Sequence, residues 1–401
     1  MPMFVRKILH KLFILLAKVM VTFAPGARHV VFAGSGSARQ LCDHVLRSGA
    51  TKVLIVTDKP LRELGIVDQA TAALREADID LAIYDGVLPD PTFEIVAEGV
   101  AVGKQQGSDA VFAIGGGSAI DAAKIISAGL TSDESPKNWV GFGKLKHEVK
   151  PIYAIPTTSG TGSEATMGAV IKDAATSEKH VLSGATLLPR AAALDADLLT
   201  GLPPHITAAT GMDALTHGIE AYIGIWERGS RKDDSRVAVK LIFEHLGNAY
   251  RDGSDTNARN GMAMGAYYAG LAINQVNVGN VHAIAHQLGG KYGIPHGLAN
   301  SLVLPHILEF CRDEAKSELA ELAVLVGAGT VGEGEAVLAD KFIQAVRDLR
   351  TEVGIPDQSD LIKHEDFEDI ATLAINEGGA YPVPRLLDRD SVMVILNKIS
   401  G

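Results

Sequence analysis

The chain has 401 residues, 48 acidic against 37 basic, and a formal net charge of -11 with histidine neutral. Its length predicts two or three domains, and 47% hydrophobic with 21% charged residues predicts an ordinary globular core, which excludes a disordered chain. The acidic balance offers no field that would attract a polyanion, so nucleic acid is excluded as an expected partner. Cys42 and Cys311 are too few for a disulfide framework and lie in no metal-ligand spacing, which points to packed thiols in a reducing, cytoplasmic compartment.

The first predicted element is a helix in FVRKILHKLFILLAKVMVTF. Val5, Leu9, Leu12, Leu16, Val19 and Phe23 recur at helical spacing, with Lys7, Lys11 and Lys18 on another face. The longest uncharged run before Lys18 is six residues, Leu12 to Ala17, too short to span a bilayer. Lys18 also interrupts any signal-peptide core, and no clear small-residue cleavage pattern follows. Residues 1–26 therefore read as an amphipathic extension packed on the rest of the chain or on a partner subunit, with weak adsorption to a membrane surface as the other expectation.

From His29 to about Leu202, short apolar runs (HVVFAG, VLIVT, LAIYDG, VFAIGG, IYAIPT, AAALDA) alternate with helical stretches, the pattern of a mostly parallel sheet covered by helices. VLIVT ends at Asp58, where a carboxylate can cap the next helix or accept hydrogen bonds from an adenosine ribose while repelling a 2'-phosphate. VFAI runs into Gly115-Gly116-Gly117-Ser118 and then a helix, so backbone N–H groups and the positive helix end converge where a pyrophosphate would fit. The run is not G-x-G-x-x-G, and alone it is equally an ordinary helix-start turn. Pro156 to Glu164 (PTTSGTGSE), after IYAI, is a second small-residue loop, rich in hydroxyl donors and placed to face a ligand. Thr131 to Glu148 and Glu227 to Arg236 are polar and read as solvated loops.

Beyond Leu202 helical periodicity takes over. Val239, Ile242, Phe243 and Leu246 fall at i, i+3, i+4 and i+7, as do Leu319, Leu322, Ala323 and Val326. Asp213 and His217 stand at i and i+4 in GMDALTHGIEAYI, so their side chains leave one helix face one turn apart. His282 and His286 repeat that spacing, and the chain is then expected to turn through Gly289, Gly290, Gly293 and Pro295 to present His296. One carboxylate with two or three imidazoles suits Fe(II) or Zn(II), not magnesium or calcium. Spacing alone does not choose between His286 and His296 as the last ligand.

These segments together resemble the iron-containing, or group III, alcohol dehydrogenases. VTDK, YDGVLPDPT (Tyr84 to Thr92), AIGGGSAIDAAK, PTTSGTGSEAT, GLPPHITAATGMDALTHGIEAY and HAIAHQLGGKYGIPHGLAN occur in the family's order, and the likeness runs from about His29 to the C-terminus. The resemblance implies a Rossmann-like α/β domain with a mostly parallel sheet over residues 27–202, then an all-helical metal-binding domain over 203–401, the architecture shared with dehydroquinate synthase. It implies Asp213, His217, His282 and His296 as metal ligands, leaving His286 as the non-ligand histidine near the nicotinamide and a proton carrier. Gly116, Gly117 and Ser118 would contact the pyrophosphate, with Gly115 of the same turn among the cofactor-binding residues; Thr157, Thr158 and Thr161 would approach the cofactor, and Asp58 would face the ribose. Asp121 and Lys179 are further candidates for cofactor contact. The implied activity is reversible hydride transfer between a small or primary alcohol, or its aldehyde, and NAD(H), with Fe2+ or alternatively Zn2+, in a homo-oligomer for which a dimer is favoured. A glycerol dehydrogenase-like polyol oxidoreductase and a non-redox lyase of the same structural group are the alternatives. Asp90 stands where the family often has Asn, Ile273 where many members have Phe, and residues 1–26 have no counterpart in the typical family chain.

Overall fold

The computed structural model describes residues 3–22, 29–176, 178–226 and 230–401. Phe23 and residues 227–229 of the predicted loop lie outside the described residues, as do the side chains of Leu16 and Val19. Two compact units result, one of Gly26–Pro203 with Asp252–Gly270, the other of Met1–Pro25, Pro204–Arg251 and Leu271–Gly401.

The first unit is built on β1 (Val30–Ala33), β2 (Lys52–Val56), β3 (Asp80–Tyr84), β4 (Ala110–Gly115), β5 (Gly141–Phe142), β6 (Ile152–Pro156), β7 (Gly168–Lys172), β8 (Lys179–Ser183) and β9 (Ala191–Leu194). Six strands form a parallel sheet in the order β1-β9-β6-β4-β2-β3. Alternate residues feed opposite layers, because successive strand side chains point to opposite faces. Leu54, Val56, Val111 and Ala113 pack with Val96, Ile120 and Ile126 of the helices Phe93–Gln106 and Gly117–Gly129. Val53, Ile55, Phe112 and Ile114 pack with Leu41 and Val45 of the helix Ser37–Arg47. Both faces are covered, so the central strands are apolar throughout. The chain runs from β2 out to β3 and returns to place β4 on the other side of β2, so the carboxyl ends of β2 and β4 flank a topological switch point, the usual ligand crevice of such sheets.

A second, three-stranded sheet, β5-β8-β7, was not legible as strands. Its β7–β8 pair is antiparallel, with Gly168 opposite Ser183 and Lys172 opposite Lys179. The predicted solvated loop 131–148 also contributes here, since it contains β5 and buries Trp139. Residues 252–270, expected with the helical part, group with the sheet unit. Gly162 and Gly270 explain why: a Cβ on Gly270 would lie 2.5 Å from the Gly162 carbonyl oxygen, so only two glycines allow this backbone approach. Arg259, itself buried, donates to the carbonyls of Gly253 and Leu202 at 2.9 Å each.

In the second unit the predicted periodic residues line the core, with Val239, Ile242, Leu246, Leu319, Leu322 and Ala323 all fully buried. The loop expected through Arg236 ends sooner, because helix begins at Arg231, whose guanidinium is buried and donates to the Ala221 and Tyr222 carbonyls. Ile273 packs with Ala221, Ala272, Val276 and Trp226 in a small apolar cluster. The extension forms a helix over Met3–Thr22. It docks through its polar side: Arg6 donates to the Leu387 carbonyl at 3.1 Å, and His10 Nε2 meets the Tyr381 carbonyl at 2.6 Å. The expected packing face is turned outward, with Val5, Leu9 and Leu12 exposed and His10 and Ile14 buried instead. Among the described residues no helix is long and apolar enough to cross a membrane. Cys42 and Cys311 are free and buried, and burial pushes both thiols up to about 12, which leaves them inert.

Candidate metal centre and cofactor site

Three helices of the second unit build the metal candidate. Pro204–Ile223 carries Asp213, His217 and Glu220 at i, i+4 and i+7 on one face; Asn280–Tyr292 carries His282 and His286; His296–Phe310 opens with His296 and carries Asn300 one turn on. The turn before His296 uses Gly293 alone, at φ 67, with Pro295 behind it. Gly289 and Gly290, expected in that turn, lie inside the helix. Ligand atoms of Asp213, His217, His282 and His296 all fall within 4.8 Å of one another. His217 Nε2 is 3.1 Å from His282 Nε2, and Asp213 Oδ1 is 3.9, 3.9 and 3.5 Å from the Nε2 atoms of His217, His282 and His296. Four ligands about 2.1 Å from one ion in a tetrahedron stand roughly 3.4 Å apart, so the four distances from 3.1 to 3.9 Å lie near the spacing that a Zn(II)- or Fe(II)-sized ion requires. Burial holds His282 well below, and His296 down to about 3 from, the usual imidazole range, so both present neutral lone pairs.

Sequence reasoning missed the supports of these ligands. Glu220 is buried and accepts from the Gly279 and Val281 N–H groups at 2.8 and 2.6 Å and from His282 Nδ1 at 2.6 Å. It thereby satisfies the first turn of the Asn280–Tyr292 helix and aims His282 Nε2 at the centre. Burial pushes its carboxyl up to about 7, against the two N–H donors that favour the charged form. Asn300 is fully buried, and its Nδ2 donates to Asp213 Oδ1 at 2.6 Å while facing His282 and His296 Nε2 at 3.1 and 3.2 Å. The signal for both was present as i, i+3 from His217 and i, i+4 from His296. His286 stacks on His296 at 5.3 Å between ring centroids, and its Nδ1 bonds Glu377 Oε1 at 2.5 Å. Glu377 also accepts from Gln287 and from the Tyr381 hydroxyl, both at 2.6 Å.

In the sheet unit the glycine turn and the threonine loop meet. A Cβ on Gly116 would lie 3.3 Å from Thr158 Oγ1, and one on Gly117 would lie 2.6 Å from the Thr161 methyl and 2.9 Å from its Oγ1, so both threonine side chains pack against the turn. Gly115 has φ 152, Gly116 caps the helix Gly117–Gly129, and Thr157 donates its N–H to the Gly115 carbonyl at 3.0 Å. Ser118, one residue into that helix, is half-buried. Asp58 accepts the Leu61 N–H on Oδ1 at 2.9 Å, and its Oδ2 lies 3.9 Å from where a Gly115 Cβ would stand, so it both caps its helix and borders the turn. Asp121 is committed elsewhere: it accepts the Ser163 hydroxyl at 2.5 Å and the Val170 N–H at 2.9 Å. The buried Lys124, not singled out from sequence, donates to Ser163 and Thr166 at 2.8 and 3.1 Å and so ties the helix to the threonine loop. Lys179 pairs with Asp90 at 2.6 Å, and Asp90 has φ 53, a conformation that Asp tolerates as Asn does.

A parallel sheet with a glycine turn at its switch point, together with a helical cluster of one aspartate and three histidines, is the plan of a metal-dependent dehydrogenase. The iron-containing alcohol dehydrogenase family model matches residues 28–196 and its C-terminal counterpart matches residues 207–400, and the chain belongs to this family. The match leaves the helix Met3–Thr22 outside it. The chain is 37% identical over 374 residues to 1,3-propanediol dehydrogenase of Klebsiella pneumoniae, covering 92% of this chain and 97% of the relative. It is 36% identical over 369 residues to NAD-dependent methanol dehydrogenase of Bacillus methanolicus, covering 91% and 97%. A crystal structure of 1,3-propanediol oxidoreductase superposes with a TM-score of 0.90 at 37% identity, covering 92% of this chain and 98% of that one.

Proposed function

We propose that the chain interconverts a small primary alcohol and its aldehyde with NAD(H), using one Fe2+, or alternatively Zn2+, held by Asp213, His217, His282 and His296. The observation that supports this reading most is the convergence of those four ligand atoms within 4.8 Å from three separate helices. When bound, the divalent ion supplies Lewis-acid polarisation of the substrate oxygen, and the nicotinamide supplies hydride exchange at its C4. The protein's own residues do the rest. Glu220 fixes the orientation and tautomer of His282, and Asn300 steadies the Asp213 carboxylate. Because Glu377 accepts from Nδ1 of His286, the Nε2 atom of that ring is left to take the hydroxyl proton and release it toward water. The backbone N–H groups at the start of the Gly117–Gly129 helix, with Ser118, Thr158 and Thr161, would hold the pyrophosphate, and Asp58 the adenosine ribose. A homodimer in the cytoplasm is the proposed assembly and location. An assay of the metal-defined protein with NAD(H) against a panel of alcohols, polyols and aldehydes tests the reading; absence of NAD-linked turnover on all of them would refute it.

Two results are expected here. His286→Ala should lower turnover about a hundredfold, the lower range for one general acid-base group, while metal content stays near one per chain by elemental analysis. Loss of the metal would instead make His286 a ligand. Asp58→Gly should erode a preference for NAD that is roughly tenfold or more in the unmodified chain, since a carboxylate and a 2'-phosphate about 4 Å apart repel by about 1 kcal/mol per charge pair in water and more in a crevice. Glycine is the right probe because it replaces an N-cap at a cost of only a few tenths of a kcal/mol. Steady-state kinetics with both cofactors on both proteins decide it, and an unchanged ratio would leave Asp58 as a helix cap alone.

A further inference from the structure

The helix Met3–Thr22 lies outside the family match and holds none of the metal or cofactor candidates. It docks on the 375–387 segment through hydrogen bonds from Arg6 and His10 and through the buried Ile14, and beside these contacts a groove of about 370 Å3 is lined by Leu9, Phe13, Gly379 and Leu386. The apolar residues that face away from this groove are Val5, Ile8, Leu12 and Leu15, 38 to 59% exposed. At about 100° per residue they cover roughly 80° of the helix circumference. Lys11, exposed, stands at one edge of that arc, with Lys7, also exposed, about 40° further round, and the helix contains no acidic residue.

We infer that this exposed face is a docking surface for an anionic lipid bilayer, on which the helix lies in the plane of the headgroups. An apolar arc bordered by lysines is the pattern of an interfacial helix, with apolar side chains entering the acyl boundary and ammonium groups meeting phosphates. Pairing of two copies of the helix would offer no opposite charges to one another, since neither copy supplies a carboxylate. The rest of the chain is acidic enough to bring the total to -11, so an anionic surface repels the body and attracts only this helix.

The test uses the full chain with vesicles of phosphatidylcholine alone and of phosphatidylcholine mixed with phosphatidylglycerol, measured by co-sedimentation, with sedimentation velocity run in parallel without lipid. The expected result is binding to the mixed vesicles at least tenfold tighter than to the neutral ones, weakened about fivefold by Lys11→Ser and abolished by Leu12→Glu combined with Leu15→Glu. The double variant should keep its sedimentation coefficient and its turnover, which shows that it is folded. Absence of binding to the mixed vesicles, or undiminished binding by the double variant, overturns the inference. So does a double variant that sediments as a smaller species than the unmodified chain, which would assign the face to a second copy.

Discussion

Replacing His282 with alanine should remove the bound metal and turnover together. The substitution deletes one of four ligand atoms, and it also strands Glu220, whose buried carboxylate gives up the imidazole 2.6 Å away and keeps only two backbone donors. Leaving a buried polar group short of a partner costs about 1–3 kcal/mol, so stability should fall as well. Glu220→Gln separates the two effects. It keeps the shape and leaves all four ligands in place but weakens the hydrogen bond that aims His282, and metal affinity should fall about 10- to 100-fold with partial activity retained. Elemental analysis and kcat on both variants check this. Stoichiometric metal and intact turnover in His282→Ala would show that the cluster is not the metal site.

Gly297→Ala is expected to damage the site without replacing a ligand. A Cβ at this position would lie 2.2 Å from the Ala209 carbonyl oxygen and 2.7 Å from its carbonyl carbon, both backbone atoms of the helix that carries Asp213 and His217. Neither can swing aside as a side chain would, so the helix opening at His296 must move away and take His296 and Asn300 with it. Forced overpacking costs about 1–3 kcal/mol, and a centre held in register by that contact should lose at least tenfold in metal affinity. Thermal unfolding with and without added metal reads both quantities, because the stabilisation by a ligand grows with the logarithm of its concentration over its Kd for the folded state. A metal-induced rise in Tm equal to that of the unmodified chain would contradict the prediction.

The Asp213–His217 and His282–His286 pairs were legible because helical periodicity fixes which residues share a face before any tertiary contact forms. His296 was not separable from His286 on spacing, since its direction depends on a left-handed turn at Gly293 and on the close approach that Gly297 permits. Gly289 and Gly290 misled because glycine inside a helix costs only about 1 kcal/mol each, which tertiary packing readily overrides. The six strands of the parallel sheet stood out as apolar runs, of which β2, β4, β6 and β9 are almost wholly buried, whereas β7 and β8 are half-exposed and carry lysines at their paired ends. The N-terminal helix was legible as a helix but its buried side was not. Apolar content predicts which face seeks burial, and here Arg6 and His10 find carbonyl acceptors on the 375–387 segment that no periodicity could reveal.

Metal-free protein titrated with Fe(II) under anaerobic conditions, with bound metal and NAD-linked alcohol oxidation measured at each step, tests most directly whether the Asp213, His217, His282 and His296 cluster holds the catalytic ion. Turnover should rise in proportion to occupancy and level off at one ion per chain, and Asp213→Ala should show neither binding nor turnover. Full activity before any metal is added, or saturation of the cluster with no gain in activity, would contradict it.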